Sequence, residues 1–254
     1  MKPIFSIIVP SFNQPKYIEY TFQNLTELKS KAAERQIKIE VLLFDSCSNN
    51  ETQVIIERYK SLFDVIEIKK DKGQYDAINI GIERCSGDYW TWLNTDDTLD
   101  IEGFFKLVDI LKNDLTIDYV YGSIDYIDEN SNHLRSFESY EVNKKMLTTK
   151  VPGIFQQGSF FKKEFTNKIG FLKSYNCCFD YEYVLRCLQN SAKFYVCKFK
   201  VANFRQHSSS KTGSLTPFFI REQLKISNDY GRKPWDFLTW FSHLRLLKHK
   251  LFPR

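Results

Sequence analysis

Asp96 and Asp97 stand side by side at the end of Tyr89-Trp90-Thr91-Trp92-Leu93-Asn94-Thr95. Two neighbouring carboxylates repel each other unless a cation or a donor-rich ligand lies between them. Hard oxygen ligands of this kind suit Mg²⁺ or Mn²⁺ already holding a phosphate-bearing substrate. Asp180, in Phe179-Asp180-Tyr181-Glu182, opens a segment in which Tyr181, Val184, Leu185 and Leu188 recur at helical spacing. A carboxylate in a first helical turn either caps the helix or stands in a cleft as a general base, and Glu182 falls on the solvated or Arg-facing side. Asp45 follows the apolar run Ile39 to Phe44, where it faces a ligand or caps a helix at Glu51. His207 lies in a polar loop between Arg205 and Lys211, and the adjoining hydroxyls suit a phosphate or metal contact as well as plain solvent.

The elements that must position these groups are legible as hydrophobic runs. Ile4 to Pro10, Ile39 to Phe44, Val65 to Ile68 and Tyr89 to Leu93 read as strands. Between them lie helical stretches from about Lys16 to Ser30, from Glu51 to about Leu62 and from Tyr75 to Arg84. Alternation of this kind over about the first 115 residues predicts a parallel, doubly wound sheet. Such sheets bind ligands beyond the carboxyl ends of their strands, which is where Asp45, Asp96 and Asp97 fall. The competing reading of the acidic pair is a solvated turn before a helix at Ile101, with Asp97 or Thr98 as its cap. The second half changes character. Tyr119 to Ile127 and His133 to Phe137 flank a polar turn and read as a hairpin, Gln156 to Phe161 as an extended segment, and Phe194 to Val196 and Phe199 to Phe204 as strands.

Composition narrows the function. A chain of 254 residues with 43% hydrophobic and 26% charged residues can bury a core without disulfides, and its 22 Phe and 14 Tyr read mainly as core. A net charge of +5 is too mild and too dispersed for a nucleic-acid footprint. The six cysteines form no CxxC pair and no signal-peptide pattern opens the chain, so reduced thiols in a cytoplasmic protein are expected. No uncharged apolar run reaches the length of about 18 residues that spans a bilayer.

Six segments in order carry more than any one does: Ser6-Ile7-Ile8-Val9-Pro10-Ser11-Phe12-Asn13, Asp45 to Thr52, Lys72-Gly73-Gln74-Tyr75-Asp76-Ala77-Ile78-Asn79, Leu93 to Asp97, Phe179 to Glu182, and Phe204 to Lys211. By these the chain resembles the family-2, inverting glycosyltransferases of the GT-A fold, over about residues 4 to 213. The resemblance implies an α/β architecture with a Rossmann-like, mostly parallel sheet flanked by helices, an α+β acceptor-side half and a C-terminal helical tail. The corresponding division is a GT-A domain at 1–214, whose nucleotide-sugar half is 1–115 and whose acceptor and base half is 116–214, followed by an extension at 215–254. It further implies Pro10, Ser11 and Asp45 around the nucleobase, Asp96 on the ribose side, Asp76 and Asn79 along the donor sugar and diphosphate, and Asn13, Gln74 and Asn94 elsewhere in the nucleotide-sugar site. Asp97 and His207 would hold Mn²⁺ or Mg²⁺, His207 and Lys211 would close over the phosphates, and Asp180 would be the catalytic base. The expected donor is a nucleotide-diphospho-sugar, by family habit a UDP-sugar. The acceptor is a sugar or lipid-linked saccharide in cell-surface polysaccharide or glycolipid synthesis. Phe179 departs from the family's frequent acidic residue before the base, and Asn49-Asn50 stand where an acidic residue is common. A Gln-x-x-Arg-Trp motif is missing, which favours one transfer per encounter.

Two other classes share this framework. A sugar-nucleotide nucleotidyltransferase would need a glycine-rich phosphate loop after the first strand, and Ser11-Phe12-Asn13-Gln14-Pro15-Lys16 has no glycine. A non-catalytic binder would not need both Asp97 and Asp180. Beyond the resemblance, Pro234 to Arg254 sets Phe237, Leu238, Trp240, Phe241, Leu244, Leu247 and Leu251 on one broad side of a helix, with Arg245, Lys248, His249, Lys250 and Arg254 toward its end. That pattern reads either as a helix packed on the domain or as an in-plane contact with an anionic membrane surface.

Overall fold

The computed structural model describes residues 4–149, 154–208 and 216–233, with residues 235, 236, 239–242, 244 and 247. Lys211 and most of the stretch from Pro234 to Arg254 lie outside the described residues. The first half alternates β1 (Phe5–Ser11), α1 (Ile18–Glu34), β2 (Ile39–Asp45), α2 (Asn50–Arg58), β3 (Val65–Ile68), α3 (Gln74–Arg84) and β4 (Tyr89–Trp92). β1 pairs parallel with β2 and with β4, and β2 parallel with β3. Side chains alternate across a strand, so Phe5, Ile7 and Val9 enter the core beneath α1, whereas Ile8 enters the opposite core beneath α3.

Beyond β4 the strand pairings are of both kinds. Short β5 (Thr98–Leu99) leads into α4 (Ile101–Asn113), and β6 (Tyr119–Ile127) turns into β7 (His133–Phe137), the expected hairpin. α5 (Lys144–Thr149), β8 (Ser159–Lys162), α6 (Lys163–Ile169), α7 (Phe179–Gln189), β9 (Phe194–Arg205) and α8 (Thr216–Asp229) follow. The strand order is β3-β2-β1-β4-β8-β6-β9-β5, with β7 on β6. β8 is antiparallel to both β4 and β6, whereas β6 pairs parallel with β9, so the sheet is mixed, flanked by helices on both faces.

Several local details differ from the sequence reading, each for a physical reason. The stretches at Phe194 and Phe199 are one strand, because β9 absorbs the residues between them as a register shift against Gly122 and Ser123 of β6. Gln156–Gly158 is a 3₁₀ turn, which directs both glutamine side chains toward the acidic turn. Neither Asp45 nor Asp97 caps a helix. Asn49 caps α2, accepting the Thr52 N–H at 3.1 Å, and Asp100 caps α4, accepting the Gly103 N–H at 2.8 Å. Gly103 is required there, since a Cβ on it would meet the Lys200 carbonyl of β9 at 1.8 Å. This close approach seats α4 and β5 on β9, which fixes the turn carrying the two aspartates. All six cysteines are free thiols. Among the described residues no helix is long and apolar enough to cross a membrane.

Candidate active site

The site is built on the carboxyl ends of β1, β2 and β4 and the end of β9. At β2, Asp45 is buried; its Oδ1 accepts the Ser48 N–H at 2.8 Å and Gln53 Nε2 at 2.6 Å, and its Oδ2 accepts Ser48 Oγ at 2.6 Å. Ser11 faces Asp45 across the β1–β2 ladder, and its hydroxyl oxygen is buried with no hydrogen-bond partner. A buried hydroxyl without a partner is costly, so this one is suited to a ligand group. Pro10, buried beside it, pairs with Phe44. Asn13, at φ 48°, stitches the two loops together: its Oδ1 accepts the Asn49 N–H at 2.7 Å and its own N–H donates to Ser48 Oγ at 2.8 Å. Pro10, Ser11, Asn13 and Asp45 therefore occupy one corner.

Asp96 and Asp97 have opposite surroundings. Asp97 is fully buried; its Oδ1 accepts the Arg205 N–H at 2.9 Å, and its Oδ2 accepts Gln157 Nε2 at 3.0 Å and Asn94 Nδ2 at 3.1 Å. Burial pushes this carboxyl well above the usual carboxylate range and the Asp96 charge adds to it, while those three donors pull the other way. Asp97, expected to hold the metal, accepts these three hydrogen bonds from within the protein. Asp96 is the reachable one. Its Oδ2 lies 2.9 Å from His207 Nε2, and its side chain keeps 17% of its surface exposed. The His207 ring rests on Tyr17, centroids 4.3 Å apart.

Arg205 organises this corner, although nothing in its spacing singled it out. It is fully buried: Nε donates to the Asp96 carbonyl at 2.9 Å, and Nη1 donates to the Asp128 and Glu129 carbonyls at 3.0 and 3.1 Å. The acidic turn is thereby clamped to the β6–β7 turn. Gln156 and Gln157 were missed as well, and their one signal was a pair of amides in front of an apolar strand.

Along the donor side, Gln74 Nε2 donates to Asn94 Oδ1 at 2.7 Å, continuing the chain of amides that ends on Asp97. Gly73, at φ +123°, makes the turn into α3, and Asp76 accepts the Lys72 N–H at 3.0 Å in its first turn. Asn79 is engaged elsewhere: its Nδ2 donates to the Leu172 carbonyl at 2.8 Å and its Oδ1 accepts the Leu172 N–H at 2.9 Å. It ties α3 to the loop ahead of α7.

α7 carries Asp180. Its Phe179 ring meets Trp92 of β4 at a centroid distance of 5.9 Å, bringing the start of α7 against the strand that leads to Asp96. Asp180 Oδ1 accepts the Tyr181 N–H at 2.7 Å. Burial raises its carboxyl to about 6, against the pull of the Tyr181 and Asp180 amides and with a smaller upward push from Glu222. A carboxylate raised that far is a better base near neutrality than an ordinary one. Glu182 faces Arg186 and is not solvated: fully buried, it accepts Arg186 Nη2 and Lys173 Nζ at 2.9 Å each and Tyr230 Oη at 2.6 Å. It is thus a structural carboxylate.

Among the described residues no group of three or more His, Cys, Asp and Glu side chains is placed to hold a metal. Asp96 and His207 nevertheless supply one carboxylate oxygen and one imidazole nitrogen. This fits Mg²⁺ or Mn²⁺ completed by water and substrate phosphate oxygens, the usual arrangement for ions bound together with a diphosphate.

The mixed sheet is similar to solved glycosyltransferases. Staphylococcus aureus TarS (residues 1–349) in complex with UDP-GlcNAc superimposes with a TM-score of 0.68 at 16% identity, over 100% of this chain and 76% of that one. The mannosyltransferase PcManGT from Pyrobaculum calidifontis, in complex with GDP-Man and Mn²⁺, gives 0.64 at 16% identity, over 98% and 70%. In sequence, an uncharacterised glycosyltransferase of Haemophilus influenzae is 26% identical over 192 residues, which span 73% of this chain and 62% of that protein. The profile described as glycosyl transferase family 2 matches residues 6–170, from β1 into the loop after α6. With the sheet order, the paired aspartates and that match in agreement, the chain belongs to glycosyl transferase family 2.

Proposed function

We propose that this protein moves one sugar from a nucleotide-diphospho-sugar to an acceptor hydroxyl with inversion at the anomeric carbon. The observation that carries the reading is the Asp96–His207 pair at the end of β4, 2.9 Å apart beside the Ser11–Asp45 corner. Ser11, Asn13 and Asp45 serve the nucleobase, Asp96 and His207 the metal, and Gln74, Asp76 and Asn94 the donor side. Asp97 holds the turn from within. Lys211 is proposed to meet the phosphates. A divalent ion at Asp96 and His207 would supply Lewis-acid stabilisation of the departing diphosphate. Asp180 takes the proton of the acceptor hydroxyl as that oxygen attacks, and Trp92 and Phe179 exclude water beneath it. One base and a single in-line displacement suffice, with no covalent sugar intermediate.

The donor is a UDP-sugar on this reading, in keeping with the UDP-GlcNAc bound to TarS, and the acceptor is a sugar or lipid-linked saccharide. The protein works in the cytoplasm at a membrane surface. Trp235, Trp240, Leu244 and Leu247 are 79, 63, 44 and 52% exposed, in a stretch rich in Lys and Arg.

The test is nucleotide release from UDP-GlcNAc and GDP-Man, with and without Mn²⁺ and a saccharide panel, with NMR of the product's anomeric proton. Acceptor-dependent UDP release with an inverted product is expected. Retention of configuration, pyrophosphate formation, or binding without turnover of either donor would overturn the reading.

A further inference from the structure

α8 lies beyond the residues that the family profile matches, yet it is fastened to the helix that carries Asp180. Glu222 turns its carboxylate to three successive backbone amides. The Asn176 N–H donates to Oε1 at 2.9 Å, and the Cys177 and Cys178 N–H groups donate to Oε2 at 2.7 and 2.8 Å. These amides form the entry to α7, whose cap residue Cys178 makes no side-chain capping hydrogen bond. Amides at a helix start have no intrahelical acceptor, and negative charge there is favourable. Glu222 thus gathers, from another helix, the amides of the chain that enters α7. Four residues on, Ile226 is fully buried in the core that also holds Phe179 and Tyr183. Another four on, Tyr230 reaches Glu182. Residues 222 and 226 lie on one side of α8, and Tyr230, just past its end, continues that line to Glu182 of α7.

We infer that Glu222 is a positioning residue for Asp180: by gathering the amides of residues 176–178 it sets the start of α7, and with it the place of the base, the second residue of that helix. The inference rests on the reading of Asp180 as base, and its test separates the two. Glu222→Gln keeps the size of the side chain and removes its charge. Amide exchange at 176–178 is expected to accelerate about tenfold or more in this variant, as three charge-assisted hydrogen bonds weaken. Turnover of UDP-GlcNAc should fall about tenfold while the KM for the donor and the affinity for UDP with Mn²⁺ stay within about twofold. Lys225→Gln, on an exposed position of α8, should change neither.

Unchanged exchange at 176–178 in folded Glu222→Gln, or a loss of turnover matched by loss of UDP affinity, would overturn the assignment. Should Glu222→Gln fail to fold, the wild type decides: amides 176–178 exchanging as fast as exposed loop amides would overturn it, and protection would support it. Full activity of Asp180→Asn would overturn the base reading, and the proposal with it.

Discussion

Asp96 Oδ2 and His207 Nε2 meet at 2.9 Å from positions 111 residues apart. The contact exists because β5, directly after the acidic turn, pairs antiparallel with β9, Thr98 opposite Asn203 and Leu99 opposite Ala202. The two groups therefore meet from the loops beside β5 and after β9, Asp96 partly exposed and the His207 side chain buried. Asp96→Asn and His207→Ala are each expected to abolish the extra thermal stabilisation that Mn²⁺ gives to UDP binding; His207→Ala should also lower the melting temperature of the ligand-free protein, since its ring is buried against Tyr17. A thermal-shift titration of UDP with and without Mn²⁺ checks this. Persistence of the Mn²⁺ effect in both variants would move the metal elsewhere.

Asp97→Ala should behave differently. It leaves the Arg205, Asn94 and Gln157 donors facing a void, so stability is expected to fall by about 3 kcal/mol or more. Urea unfolding followed by fluorescence of the buried Trp90 and Trp92 measures it. A variant as stable as wild type that lacks only the Mn²⁺ response would return the metal to Asp97.

Asp180→Asn should lower turnover about a hundredfold and leave UDP affinity nearly untouched. A base must be ionised to act, and this carboxyl is raised to about 6, so wild-type turnover should be full above that value and fall as pH drops through it. The variant should lose that acidic limb. Glu182→Gln is the contrast: stability falls because Arg186 and Lys173 lose their partner, while turnover per folded molecule holds. A pH–rate profile in which Glu182→Gln, and not Asp180→Asn, loses the limb would exchange the two roles.

Ending the chain after Lys233 keeps Tyr230 and its hydrogen bond to Glu182 and removes the exposed Trp235 and Trp240. The shortened protein is expected to fold, to bind UDP as before and to stop sedimenting with anionic vesicles at low salt. If it aggregates, or if the full chain ignores such vesicles, the tail is part of the fold or of a protein contact.

Much of the frame was legible, because β1, β2 and β4 are apolar runs closed by polar loops and α3 and α7 carry regular apolar stripes. The hairpin at Asp128 was equally plain. What escaped depended on distant partners. Adjacent aspartates look equivalent in a sequence, and only Gln157 and Arg205, 60 and 108 residues later, make one a buried strut and leave the other at the cleft. Asn79 likewise reads as a free amide until Leu172, 93 residues on, takes up both ends of it. The antiparallel insertion of β8 left no mark in its own four residues. Strand direction is set by the connections on either side, and those run through α5 and α6.

The clamp that Arg205 places on the acidic turn also orders events in time. A ribosome releases Asp97 long before the amide that completes its shell, so the growing chain carries a carboxylate destined for the interior while that partner is still unsynthesised. Burying it early would leave the carboxyl short of one donor, a cost that β9 removes when it arrives. The edge of β4 is taken by β8 before β9 is made, and the shell of Asp97 is complete only with β9, the last strand in chain order.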